Sequence, residues 1–130
     1  MMLINKINNL EQEINTKHDE LHKLKLEFQN LQNKFERNYY YYCSDSVEKL
    51  VYIQSVNNYQ DKFLYVTAVS ITINASNELK INLGDDIFHE NKLTTLITEK
   101  EFIEKYNTWK IQFQSIFNKI LPNYKTIINI

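Results

Sequence analysis

An α+β fold is predicted by three observations. Residues 1–38 carry a seven-residue apolar repeat without glycine or proline, residues 39–83 break into short segments rich in β-branched and aromatic side chains, and one amphipathic segment opens at Thr98. Together they predict a long N-terminal coiled-coil helix, an antiparallel β-meander of three to four strands, and a C-terminal amphipathic helix packed on the sheet. The length of 130 residues fits one compact unit plus one further element, here a helix over 1–38 and a small α+β domain over 39–130.

The first segment reads as an a/d seam. Ile7, Ile14, Leu21, Phe28 and Phe35 recur every seventh residue, and Leu3, Leu10, Leu24 and Leu31 recur on the offset that makes a three-four spacing with them. Lys17 falls at one d site and Asn38 at the last, and a single polar core position of this kind commonly limits oligomer number. The positions between are Glu, Gln, Lys and Asn, so helix propensity agrees with the pattern. A helix of this length exceeds what a domain of this size needs to cover its core, so its seam calls for a partner. In a parallel pair the flanking g and e sites join Lys6 with Glu11, Glu13 with His18 and Glu20 with Lys25, and none repels. A symmetric antiparallel pair would oppose Glu13 to Glu27 and Lys6 to Lys34. A parallel homodimer is therefore expected through Leu3, Ile7, Leu10, Ile14, Lys17, Leu21, Leu24, Phe28, Leu31 and Phe35. The competing use of the same face is packing against the chain's own second helix.

From Tyr39 the period changes to two. Tyr39–Cys43, Leu50–Val56, Phe63–Ile73 and Leu79–Leu83 read as strands. Ser44-Asp45-Ser46, Asn57-Asn58 and Asn74-Ala75-Ser76-Asn77 read as the turns between them, and Gly84-Asp85-Asp86 as the end of the sheet. Links this short require antiparallel neighbours. On the third strand the face of Phe63, Tyr65, Val69, Ile71 and Ile73 is the expected core face.

The second helix is announced by Thr98 with Glu101 three residues on, a capping box, and by Ile97 with Phe102, the matching hydrophobic staple. Its stripe of Phe102, Tyr106, Trp109, Phe113, Ile116 and Ile120, widened by Ile103 and Phe117, is expected to cover one side of the meander. Pro122 is expected to end the helix, and Thr126–Ile130 could add an edge strand.

Composition excludes more than it assigns. Fifteen basic against sixteen acidic residues give a net charge of −1, which leaves no positive field for a phosphate backbone, so nucleic-acid binding is disfavoured. The single glycine rules out the multi-glycine phosphate loops of nucleotide enzymes. The single cysteine, Cys43, precludes an intrachain disulfide and a multi-thiolate metal site. No apolar stretch has the length of a signal peptide or membrane span, so the expectation is a cytoplasmic protein with no membrane partner. His18 and His22 stand four apart on the first helix but lack the glutamate directly after the first histidine, a third ligand and a cleft, so they read as a solvated coiled-coil flank. Asp85, Asp86, His89 and Glu90 could gather a hard cation or act as acid and base, which would make a metal-dependent enzyme; their spacing fits neither a calcium loop nor a zinc signature. No catalytic residue, metal or cofactor is expected. Tyr39, Tyr40, Tyr41 and Tyr42 put two rings on each face of a strand within an acidic segment, which favours protein over nucleic acid as their partner. With Asp85 and Asp86 they are the partner-binding candidates.

Leu96-Ile97-Thr98-Glu99-Lys100-Glu101-Phe102, taken with the leading heptads and the Asn/Ile/Lys-rich usage, resembles the small phage-encoded coiled-coil plus α+β proteins of AT-rich bacterial hosts. The resemblance implies a mobile-element protein that acts by binding, for instance by inhibiting a host protein in counter-defence within the host cytoplasm. The alternative it leaves open is a structural or assembly component of a phage particle that uses the N-terminal coil.

Overall fold

The computed structural model describes residues 2–120, which divide into two compact units after Lys34. The first is the helix α1 (Met2–Phe35) up to Lys34, its last residue Phe35 belonging to the second unit. Its 34 residues span roughly 51 Å at about 1.5 Å per residue. Along it Leu3, Ile7, Leu10, Ile14, Leu21 and Leu24 are between 47% and 71% exposed. Phe35 departs from the expected seam. It is 1% exposed and its ring lies 6.2 Å from that of Tyr40, so it is a core residue of the second unit and not a dimer contact. The cause is local: Arg37 takes a left-handed φ of 63°, its N–H donates to Ile53 O at 2.6 Å, and the chain turns straight into the sheet.

The second unit holds a five-stranded sheet with β1 (Tyr39–Ser44), β2 (Val47–Gln60), β3 (Phe63–Ile73), β4 (Leu79–His89) and β5 (Leu96–Ile97). The order is β4-β3-β2-β1-β5 and every neighbouring pair is antiparallel. A 3-10 turn at Glu90–Lys92 leads from β4 towards β5, and α2 (Glu99–Ile120) follows. The fold is thus α+β as expected, with β1 to β4 a simple meander and the short β5 added beside β1. Residues 121–130, where Pro122 and the possible strand Thr126–Ile130 fall, lie outside the described residues.

Two hairpins use two-residue turns with both central residues left-handed, Asp45 with Ser46 and Asp61 with Lys62. That geometry matches the twist of the strands it joins. The β3–β4 connection is held by Asn74, whose Oδ1 accepts from Ser76 N at 2.9 Å and Glu78 N at 3.0 Å. The expected turn at Asn57-Asn58 is instead inside β2, where the ladder with β3 shifts register twice, between Ile53 and Ser55 and between Val56 and Asn58. Here Asn57 is fastened sideways, its Nδ2 donating to Thr67 Oγ1 at 2.9 Å. Gly84 likewise does not end the sheet. It sits mid-strand opposite Ala68, with a φ of 119° that only glycine adopts without strain.

Both faces of the sheet are buried, each over part of its length. On one face Leu50, Ile71, Ile73 and Trp109 form a core joined by Tyr41, Val69, Leu79, Ile97, Phe102 and Tyr106. α2 covers this end, and its capping box is formed: Glu101 N donates to Thr98 Oγ1 at 3.1 Å and Thr98 N to Glu101 Oε1 at 3.4 Å. Beyond Trp109 the stripe covers the meander only in part: Ile116 is half-buried but Phe113 and Phe117 are exposed, as is Ile111 beside the stripe. On the opposite face Tyr40, Val51, Ile53, Val56, Leu64, Val66, Ala68 and Phe88 are buried. The expected core face of β3 is therefore only half right, since Ile71 and Ile73 are buried while Phe63 is exposed and Tyr65 is half-buried. Curvature explains the exchange. Lys49 pairs with Thr72 and Phe88 with Leu64, eight positions apart along β3, which is roughly 26 Å in a flat sheet at about 3.3 Å per residue. Yet Lys49 Nζ lies 5.1 Å from the Phe88 ring centroid, so the sheet curls around this face.

Replacing Trp109 by alanine should remove about 3–5 kcal/mol of stability, read as a lower urea midpoint for the second unit; a loss within experimental error would show that α2 does not seal the Leu50–Ile71–Ile73 core.

Candidate functional site

The tyrosine run is placed by β1, whose alternation sends Tyr39 and Tyr41 to the α2 face and Tyr40 and Tyr42 to the concave face. Each ring is engaged within the domain. Tyr39 stacks on Tyr52 at 4.7 Å and meets Phe102 edge-on at 5.1 Å. Tyr40 is 3% exposed, which removes it from the surface anchors expected for partner binding. Tyr41 donates its hydroxyl to Glu48 Oε1 at 2.6 Å and lies under Lys105 Nζ, 4.3 Å from the ring centroid. Tyr42 is half-buried, with Lys49 Nζ 5.9 Å from its ring. The hydrogen bond to Glu48, helped by burial, pushes the Tyr41 phenol up to about 12. Burial, reinforced by the negative charge of Asp86, pushes Tyr42 up to about 12.

The acidic cluster is dispersed. Asp85 and Asp86 are neighbours on β4 and so point to opposite faces. Asp86 accepts from Ile87 N at 2.8 Å, Glu90 accepts the hydroxyl of Tyr59 at 3.0 Å, and His89 Nδ1 accepts from Asn91 N at 3.2 Å while its ring meets Phe63 edge-on. The loop expected after Gly84 is strand, which is why the four do not converge. Among the described residues no three or more His, Cys, Asp or Glu side chains come together to hold a metal ion. His18 and His22 are exposed on α1, and Cys43 is an exposed free thiol on β1.

Sequence reasoning passed over the polar half of the concave face. Lys49, Ser70, Thr72, Lys80, Asn82 and Asp86 line an open groove of about 560 Å³ there. The signal was present as period-two polar positions on three consecutive strands, but it is visible only once the register sets Lys49 beside Thr72 and Thr72 beside Lys80. No helix among the described residues is long and apolar enough to cross a membrane. No family model matches the chain, and no curated protein and no solved structure matches it either.

Burial also raises Tyr39, Tyr40 and Tyr59, and the two phenols raised as far as about 12, Tyr41 and Tyr42, carry a pH dependence of definite sign. Their protons are held more tightly in the folded chain than the ordinary value of 10, so the stability they contribute is complete below pH 10 and is lost as pH rises through about 12. Tyrosinate absorbance during an alkaline titration should show a late group of phenols; Tyr41→Phe and Tyr42→Phe should each remove one from its upper end, and Glu48→Gln should return Tyr41 towards its ordinary range.

Proposed function

We propose that the protein acts by binding other proteins, without catalysis, and that it does so as a parallel homodimer zipped along α1. One observation carries this reading: six apolar seam residues, Leu3, Ile7, Leu10, Ile14, Leu21 and Leu24, stand about half or more exposed on one stripe of a long helix. So much apolar surface at heptad spacing is stable in water when a second helix covers it. The charges beside the seam choose that helix, because the parallel self-pair joins Lys6 to Glu11 and Glu20 to Lys25, whereas the antiparallel one opposes like charges.

A dimer of this kind presents two copies of the α+β unit. Its tyrosines are engaged internally, so partner contact falls to the exposed apolar residues of α2, Ile111, Phe113 and Phe117, and to the acidic positions of β4. The concrete form of the reading, which rests on the resemblance to phage-encoded proteins, is inhibition of a host protein in the host cytoplasm. Retention of one host protein by the tagged chain, lost in Phe113→Ala/Phe117→Ala, would support that form.

Self-association is tested by melting. The helical circular-dichroism signal should melt at a temperature that rises with protein concentration, because mass action couples α1 to its partner. Ile14→Lys/Leu21→Lys should abolish the dependence and cost part of the helical signal, while Trp109 fluorescence stays native. A concentration-independent melt of the unaltered chain would overturn the dimer.

A further inference from the structure

We propose that β4 is a second self-association surface, at which two copies pair edge to edge, antiparallel, about a two-fold axis through Leu83. This stands independently of the α1 seam.

β4 is the outermost strand of the sheet and, among the described residues, no strand lies beyond it. Among the described residues its 11 residues have no strand on their outer side, a template for another strand, and the one backbone group there that a side chain already holds is Ile87 N, which donates to Asp86 Oδ1. The opposite edge differs, because β5 caps the start of β1. Edges that must stay single are usually blunted with proline, like charges or polar side chains. β4 carries Lys80, Asp85 and Asp86, charges of both signs, with the polar Asn82, and beside them exposes Ile81, Leu83 and Ile87, which alternate onto one face.

The occupant follows from symmetry. A two-fold axis that joins two copies of one edge antiparallel must stand normal to the sheet, so residues of equal parity oppose each other and the axis passes through one residue. Three central registers can be compared. With the axis at Asn82, Glu78 opposes Asp86 twice and Leu79 opposes Asp85. With the axis at Gly84, Ile81 opposes Ile87 twice, but Leu83 opposes Asp85 twice and Lys80 is set against the buried Phe88, leaving its charge unmatched. With the axis at Leu83, Lys80 opposes Asp86 twice, Leu79 opposes Ile87 twice, and Leu83 meets itself. Lys80 and Asp86 lie three residues to either side of Leu83, so the strand is electrostatically complementary to its own reverse in this register and not in its neighbours. Lys80 is exposed and Asp86 half-buried. The mismatch that remains is Ile81 against Asp85, twice.

The test uses full-length chain carrying Cys43→Ser, to remove the native thiol, and Ile14→Lys/Leu21→Lys, to silence α1. Leu83→Cys should oxidise to a covalent dimer. Ile81→Cys and Asp85→Cys should each fail alone but cross-link when mixed. Within the Leu83→Cys chain, Lys80→Asp or Asp86→Lys should each lower the dimer yield several-fold, and mixing the two variants should restore it, because each then offers the charge the other lacks. Equal cross-linking at 81, 83 and 85 would reveal random collision and overturn the proposal. So would absence of any cross-link, the result expected if residues 126–130 or a different protein cover the edge. Yields indifferent to the two charge reversals would overturn the register.

Discussion

The two register shifts in β2 are the constraint on which the rest of the structure depends. A meander with strands of 14 and 11 residues offers more apolar surface than one helix can cover, and in a flat sheet the excess would be wet. The shifts at Ile53/Ser55 and Val56/Asn58 let the sheet bend, since a bulge adds a residue on one strand and increases local twist. Once bent, the sheet encloses Ile53, Val56, Leu64, Val66 and Phe88 on its concave face, and α2 need seal only the other end through Trp109. Gly84 belongs to the same account, because its mirror-image φ lets the outer strand follow the curve opposite Ala68.

How far this could be read in advance depends on whether the determining interaction is local. The capping box at Thr98 and the heptads of α1 are local patterns of side chains within four residues of one another, and they predict elements that the structure contains. The turn at Asp61-Lys62 is local as well but chemically silent, because lysine has no preference for the left-handed region that the hairpin imposes, while Asn57-Asn58 has the composition of a turn and sits in a bulge. The faces of β3 were legible only in part, because burial switches sides where the sheet curls, and curvature is a property of three strands together. Phe35 fits the heptad numerically, yet it belongs to the second unit and is buried in its core, beside the turn at Arg37. Of the candidate binding residues, the tyrosines were visible as a run, but their engagement by Glu48 and Tyr52 depends on the β1–β2 register and that by Lys105 and Phe102 on a helix some sixty residues on.

The molecule engages the tyrosine run of β1 within the domain and leaves other things outside: a heptad stripe on α1, the distal apolar half of α2, and the long edge of β4. Each of these is the kind of surface that another polypeptide completes. The acidic groups of β4 are dispersed by its alternation and tied to neighbouring backbone or hydroxyl groups.

Pairing along α1 is the central claim, and one cross-link tests it most directly. A chain carrying Leu10→Cys and Cys43→Ser has a single thiol at a d position, which in a parallel, in-register dimer faces its own copy. The account predicts rapid, near-complete disulfide formation in dilute solution, with Leu10→Cys faster than the same change at the outward-facing Asn9. Comparable slow oxidation at both positions would contradict it, and would mean that the seam of α1 is covered in some other way.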